Sequence, residues 1–302
     1  MFPNVPSWLI NKVRGLGNNI EPFNRGTLYY AAAGWTIAWY LRKDIQARDV
    51  DDFFDPPGEA PANGNDPLWH DHVNRAILVA ETLFMLRSSA GFEEQRKRLM
   101  TRPLRSTFFE LLAAKQFLKA GFQISARPEV GRLGEDFDFS ATAGDVIVHV
   151  EVTALTAKEP SEATIFNALQ HKRRQLPKNA PGVVYCLVPE NWSHSAINWD
   201  DYLQKIVSRF FRGTTTVNVI VFWMEQHIVV DGGRGAALTT IRKPFVNSNA
   251  RHPMDVTLFF SGQRSEPVRE ALATADANEL TALEEAFYNS EFFRWVDYLN
   301  PR

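Results

Sequence analysis

Three acidic residues stand in apolar surroundings where a carboxylate is costly. Glu110 lies between Phe108, Phe109, Leu111 and Leu112; Asp136 and Asp138 alternate with Phe137 and Phe139 in GEDFDF; Glu151 stands in VHVEVT. A buried carboxylate needs a cation, a shared proton or a metal ion. Alternation puts Asp136, Asp138, His149, Glu151 and Thr153 on one face of a hairpin. A turn centred between Ala143 and Gly144 sets Asp136 opposite Glu151, with Cβ atoms about 4.5–5.5 Å apart. The same turn sets Asp138 opposite His149 and diagonal to Glu151. Hard oxygen donors in such a pair suit Mg²⁺ or Mn²⁺, which can make water nucleophilic enough to attack a phosphodiester. Each residue also has a plainer reading. Glu110 can pair with Lys172 or an arginine, Asp138 can cap or solvate, and His149 can be a strand-face histidine with a satisfied hydrogen bond.

The elements that must carry these groups are legible from pattern. Residues 104–120 are rich in helix formers, with Phe108, Leu111, Leu112, Lys115 and Leu118 at helical spacing and Gly121 at the stop. Phe122 to Ala126, Phe137 to Ser140 and Val146 to Val152 read as strands, the last two joined by the Gly-containing insert Ala-Thr-Ala-Gly-Asp. Residues 162–176 return to helix. Val183 to Val188 is a continuous apolar run, as in a strand buried on both faces. A helix over Asp200 to Phe211 and a strand over Val217 to Trp223 follow. The order predicts a mixed α/β sheet flanked by helices.

The order helix-Glu, strand-Asp, hairpin, strand-Glu, helix, strand resembles the PD-(D/E)XK nuclease superfamily over roughly residues 105–190. The resemblance implies a restriction-endonuclease-like core and metal-dependent hydrolysis of DNA. It implies catalytic roles for Glu110, Asp136 and Glu151, with Asp136 and Glu151 holding Mg²⁺ or Mn²⁺ and Glu110 a second ion or its waters. Asp138 is the alternative aspartate. Thr153 stands where that family carries its lysine, and a threonine cannot replace the charge. In some branches the following helix supplies the function. Lys172 is then the candidate for the migrated lysine and Gln170 for a polar site partner. The alternative is a catalytically inactive module of the same fold. It would bind nucleic acid or a protein partner, for example within a bacterial defence or mobile-element system.

The bulk numbers bound these readings. The chain has 302 residues, 45% hydrophobic and 23% charged, with a net charge of -2. That net charge gives no global pull toward nucleic acid, so DNA contact must come from local basic groups. Arg105, Arg173, Arg174 and Lys178 are the candidates, although cations at an exposed helix end look the same. The charged stretch Glu93 to Arg105 reads as a solvated helix face or as a phosphate-contacting edge. A single cysteine, Cys186, excludes an internal disulfide and a cysteine zinc site, and points to a reducing, cytoplasmic setting. The apolar run Leu28 to Leu41 is too short to span a bilayer, which takes about 20 residues. The expected organisation is an α-helical N-terminal region (1–102), the core (103–225) and a C-terminal extension (226–302). Trp8 to Val13 and Glu266 to Leu299 are expected to be helical, and Asp49 to Pro67 an acidic loop. The N-terminal helices offer a surface for a homodimer or a protein partner.

Overall fold

A computed structural model describes residues 33–34, 36–37, 40–41, 67–102, 104–128, 131–189, 192, 197–230 and 235–260. Trp8 to Val13, the acidic loop before Pro67 and the helix expected after Glu266 lie outside them. The chain divides into two compact units. One comprises Met1–Arg87, Ile228–Ala237 and Arg264–Arg302; the other comprises Ser88–His227 and Leu238–Gln263. In the first unit the described residues before Pro67 are helical, and helix α1 (Pro67–Leu86) follows. No helix among the described residues is long and apolar enough to cross a membrane.

The second unit is a mixed α/β sheet flanked by helices. Its elements are α2 (Phe92–Thr101), α3 (Leu104–Lys119), β1 (Gln123–Ala126), β2 (Phe139–Ala143), β3 (Val146–Ala154), α4 (Glu162–Gln175), β4 (Gly182–Val188), α5 (Trp199–Phe211), most of β5 (Val217–Val230) and β6 (Gly235–Val246), and α6 (Thr257–Phe260). The six strands lie in sequence order across one sheet. β1, β2 and β3 form an antiparallel meander, while β3, β4 and β5 run parallel. β4 is buried along its whole length, because it is central and helices cover both faces.

Local chemistry accounts for the boundaries. α3 stops where Gly121 takes φ 87, a left-handed conformation that costs glycine little. The Ser161 hydroxyl caps α4 by accepting from the Thr164 amide at 3.4 Å. Asn198 caps α5 through the amides of Asp200 and Asp201. On one side of the sheet, α3 packs Phe109 edge-on to Trp223 and Phe117 edge-on to Phe139. On the other side, α4 and α5 bury Ile165, Leu169, Leu203, Ile206 and Phe210 against Val184, Cys186 and Ile220. Trp192 stacks on Trp199 inside that second core, and its indole donates to the Ala157 carbonyl at 2.8 Å. These tryptophans pack the interior, so they offer no stacking platform for bases.

The meander differs from expectation in its register. The hairpin turn is Gly144-Asp145, with Gly144 at φ 57 and Ala143 paired with Val146. The turn centre is therefore one residue later than the composition of the insert suggested. β2 begins at Phe139 rather than Phe137 and pairs Phe139 with Val150 and Ser140 with His149. Every residue of β2 is thereby moved two positions along β3.

Candidate active site

The corrected register changes which aspartate meets Glu151. Continued one residue past the ladder, it puts Asp138, not Asp136, opposite Glu151. Backbone bonds hold it there: the Asp138 amide donates to the Val150 carbonyl at 3.1 Å, and the Val152 amide donates to Asp138 Oδ2 at 2.7 Å. Asp136 sits in the approach loop instead. Its Oδ1 accepts from the Gly131 amide at 3.3 Å, and its carbonyl accepts from Gln175 Nε2 at 3.3 Å. The pairing of Asp136 with Glu151 is thus corrected, because the Gly144-Asp145 turn shifts the partner by two residues.

Glu151 is wholly enclosed, at 0% exposure. Lys172 reaches it from α4, with Nζ 2.5 Å from Oε2. Glu151 Oε1 is also buried and has no hydrogen-bond partner among the described residues. Burial, and then the Asp138 charge, push the Glu151 carboxyl above the usual carboxylate range, against the pull of Lys172. Burial opposes the Lys172 charge too, but Asp138, Glu151 and Glu110 outweigh it and hold the ammonium above its ordinary value. Lys172 is therefore a fixed cation and not a base.

Glu110 projects from α3 into the same cluster, where two arginines meet it. Arg98 Nη1 lies 3.4 Å from Glu110 Oε2, and Arg102 Nη1 lies 3.7 Å from Glu110 Oε1. Arg98 Nη1 is also 3.6 Å from Asp138 Oδ1 and donates to the Asp138 carbonyl at 3.3 Å. Burial raises the Glu110 carboxyl to about 8, with Asp138 adding to the rise and Arg98, Arg102 and Lys172 opposing it.

Arg98 and Arg102 were legible only as members of a charged run. The run is not a fully solvated face: Arg98 is 2% exposed and shares the buried side of α2 with Phe92, Gln95 and Leu99. That helical spacing with apolar residues is the signal in the sequence. Gly91 makes the approach possible. It starts α2 at φ 79, and a Cβ there would collide with the Ala126 carbonyl of β1.

The remaining candidates scatter. His149 hydrogen-bonds Ser140 across the hairpin at 3.1 Å and lies against the Phe137 ring, 4.2 Å between centroids. Burial, and then Arg127, depress its imidazole to about 4, so it is neutral at ordinary pH. Thr153 and Gln170 are half-buried, on β3 and α4. Arg105 lies in α3, with a side chain outside the described residues.

Arg173, Arg174 and Lys178 line an open groove of about 740 Å³, together with Arg251, Glu135, Asn179 and residues 213–216. Arg173 donates to the Gly213 carbonyl at 2.7 Å across this groove. Arg251 comes from the polar loop Phe245 to Pro253. Its amide donates to the Thr215 carbonyl at 2.9 Å, and Asn247 secures the same loop through Thr214 and Val217. Groove and acid cluster share two segments. Residues Lys172 and Arg173 are neighbours on α4, and the loop carrying Leu133, Gly134 and Glu135 leads directly to Asp138.

No protein-family model matches the chain, and no curated protein matches it. Among solved structures, the chain is similar to Pyrococcus furiosus SfsA in complex with Ca²⁺, at a TM-score of 0.24 and 16% identity, over 40% of this chain and 57% of that one. The matched region therefore spans little more than half the length of that protein.

Proposed function

We propose that this protein is a metal-dependent nuclease that hydrolyses DNA phosphodiester bonds at the Asp138–Glu151–Lys172 cluster. The observation that carries the reading is the Lys172 ammonium 2.5 Å from Glu151. A lysine from the following helix stands beside the acid whose own strand lacks one at Thr153.

The residues fit a divalent ion in a limited way. No group of three histidine, cysteine, aspartate or glutamate side chains able to hold a metal occurs among the described residues. Mg²⁺ and Mn²⁺ sites, however, commonly use one or two carboxylates, with water and substrate phosphate completing the set. Asp138 and Glu151 would hold the ion. The orphaned Glu151 Oε1 supports this, because a cation there would offset the burial and the Asp138 charge that raise its carboxyl. When bound, the ion would supply Lewis acidity toward the phosphodiester and toward the attacking water.

The chain's own groups do the rest. Lys172 stays charged, so it orients donors toward Glu151 and stabilises negative charge that develops on the phosphate. Glu110, through Arg98, holds Asp138 in place. Arg173, Arg174, Lys178 and Arg251 would give the DNA backbone a cationic track on segments that adjoin the site in sequence. Asp136 belongs to the loop that joins track and site.

A second reading has its own support. Arg98, Arg102 and Lys172 already pair with the three acids, so the cluster is neutralised from within. On that basis the protein would be an inactive module of this fold that binds nucleic acid or a protein partner. Duplex, single-stranded and branched DNA incubated with Mg²⁺, and separately with a chelator, distinguish the two. The nuclease reading expects metal-dependent cleavage of at least one substrate. Binding without cleavage on all of them supports the inactive module.

A further inference from the structure

We infer that Arg98 is a built-in cation standing where a second metal ion would otherwise sit, so that this site takes one divalent ion rather than two. The inference rests on the nuclease reading and adds the ion count to it. A two-ion site holds its ions about 3.5–4 Å apart. In this chain the acid placed to be shared is Asp138, with Glu151 on one side and Glu110 on the other.

The side toward Glu110 is taken. The Arg98 guanidinium contacts Glu110 Oε2 at 3.4 Å and Asp138 Oδ1 at 3.6 Å, and Nη1 also donates to the Asp138 carbonyl at 3.3 Å. Its Nη2 donates to the Arg127 carbonyl, and its Nε lies 3.5 Å from Glu94 Oε1. The group is 2% exposed, and both terminal nitrogens donate to fixed acceptors, while Nε makes only the ion-pair contact with Glu94. Arginine cannot leave by losing its proton. A divalent ion in the same place would meet a desolvated positive charge.

The side toward Glu151 differs. Its cation is Lys172, a single ammonium on one oxygen, while the other oxygen has no hydrogen-bond partner among the described residues. One further cation can be satisfied there. The position of Arg98 is built into the fold rather than adopted by a loose side chain. α2 starts at Gly91, and the Ala126 amide of β1 donates to the Ala90 carbonyl at 3.0 Å.

Mn²⁺ titration of the full chain, with free ion read by electron paramagnetic resonance, tests this. The ions counted are those lost in Asp138→Asn. Wild type is expected to bind one per chain, Arg98→Lys one, and Arg98→Met two. Two ions in wild type, or one in folded Arg98→Met, would overturn the inference and leave the nuclease reading intact. No bound ion in wild type would overturn the nuclease reading and the inference with it. The wild-type count needs only Asp138→Asn, the variant that sets its baseline, to fold.

Discussion

Lys172 Nζ lies 2.5 Å from Glu151 Oε2, and Glu151 is fully enclosed. Removing the lysine charge should therefore act twice. Lys172→Met is expected to lower cleavage by roughly two to three orders of magnitude, through loss of a preorganised charge. It should also destabilise the fold by up to about 3–5 kcal/mol, because a buried carboxyl is left without its partner and must take up a proton. Adding Glu151→Gln should restore stability in urea melts but not activity. Full stability in the single variant would mean that the pair is not formed in solution.

The hairpin register separates two neighbouring aspartates. Asp138→Asn is expected to abolish metal-dependent cleavage, while Asp136→Asn should retain it within a few-fold. Cleavage rates of the two variants, each checked by circular dichroism, decide the point. The reverse pattern would restore the earlier turn and the pairing of Asp136 with Glu151.

That register shows where the sequence was legible and where it was not. Apolar alternation in β3, the continuous run of β4 and the helix formers of α3 are local signals, and all three elements form. The turn is local too, but its identity depended on one choice. Gly144 is the first turn residue, at φ 57, and not the residue after the centre. A shift of one residue in a turn becomes two along the partner strand, enough to exchange Asp136 for Asp138. The role of Arg98 was hidden for a different reason, although its helical spacing with apolar residues marks it as buried. Its partners Glu110 and Asp138 are distant in sequence, and α2 by itself resembles a solvated charged helix. Lys172 could be singled out only through the family resemblance, which puts a displaced lysine on the helix after the strand that carries the acid.

The cationic groove predicts salt behaviour. Neutralising Arg173, Arg174, Lys178 or Arg251 singly should weaken DNA binding across sequences and reduce the salt slope by about 1 each. Turnover at saturating DNA should change little. Fluorescence anisotropy over a range of salt concentrations measures it. An unchanged slope in Arg251→Gln would remove that residue from the track.

His149 predicts a pH effect of defined sign. Its imidazole is depressed to about 4 by burial and by Arg127, against 6.5 for the free group. The unfolded chain therefore takes up a proton, as pH falls through about 6.5, that the folded chain does not. The His149 contribution to stability is present above that pH and is lost as pH falls toward 4. The stability difference between wild type and His149→Gln should shrink over this window in urea melts. The raised carboxyls Glu110 and Glu151 act with the opposite sign, and they cancel in this difference. A difference that stays constant with pH would show that His149 is not depressed.

Cleavage of supercoiled plasmid with Mn²⁺, by wild type beside a Glu151→Gln variant of matched thermal stability, tests the central claim most directly. The account predicts nicked or linear product with wild type, none with the variant, and none with wild type once the metal is chelated. Equal cleavage by both proteins, or cleavage that survives chelation, would contradict it.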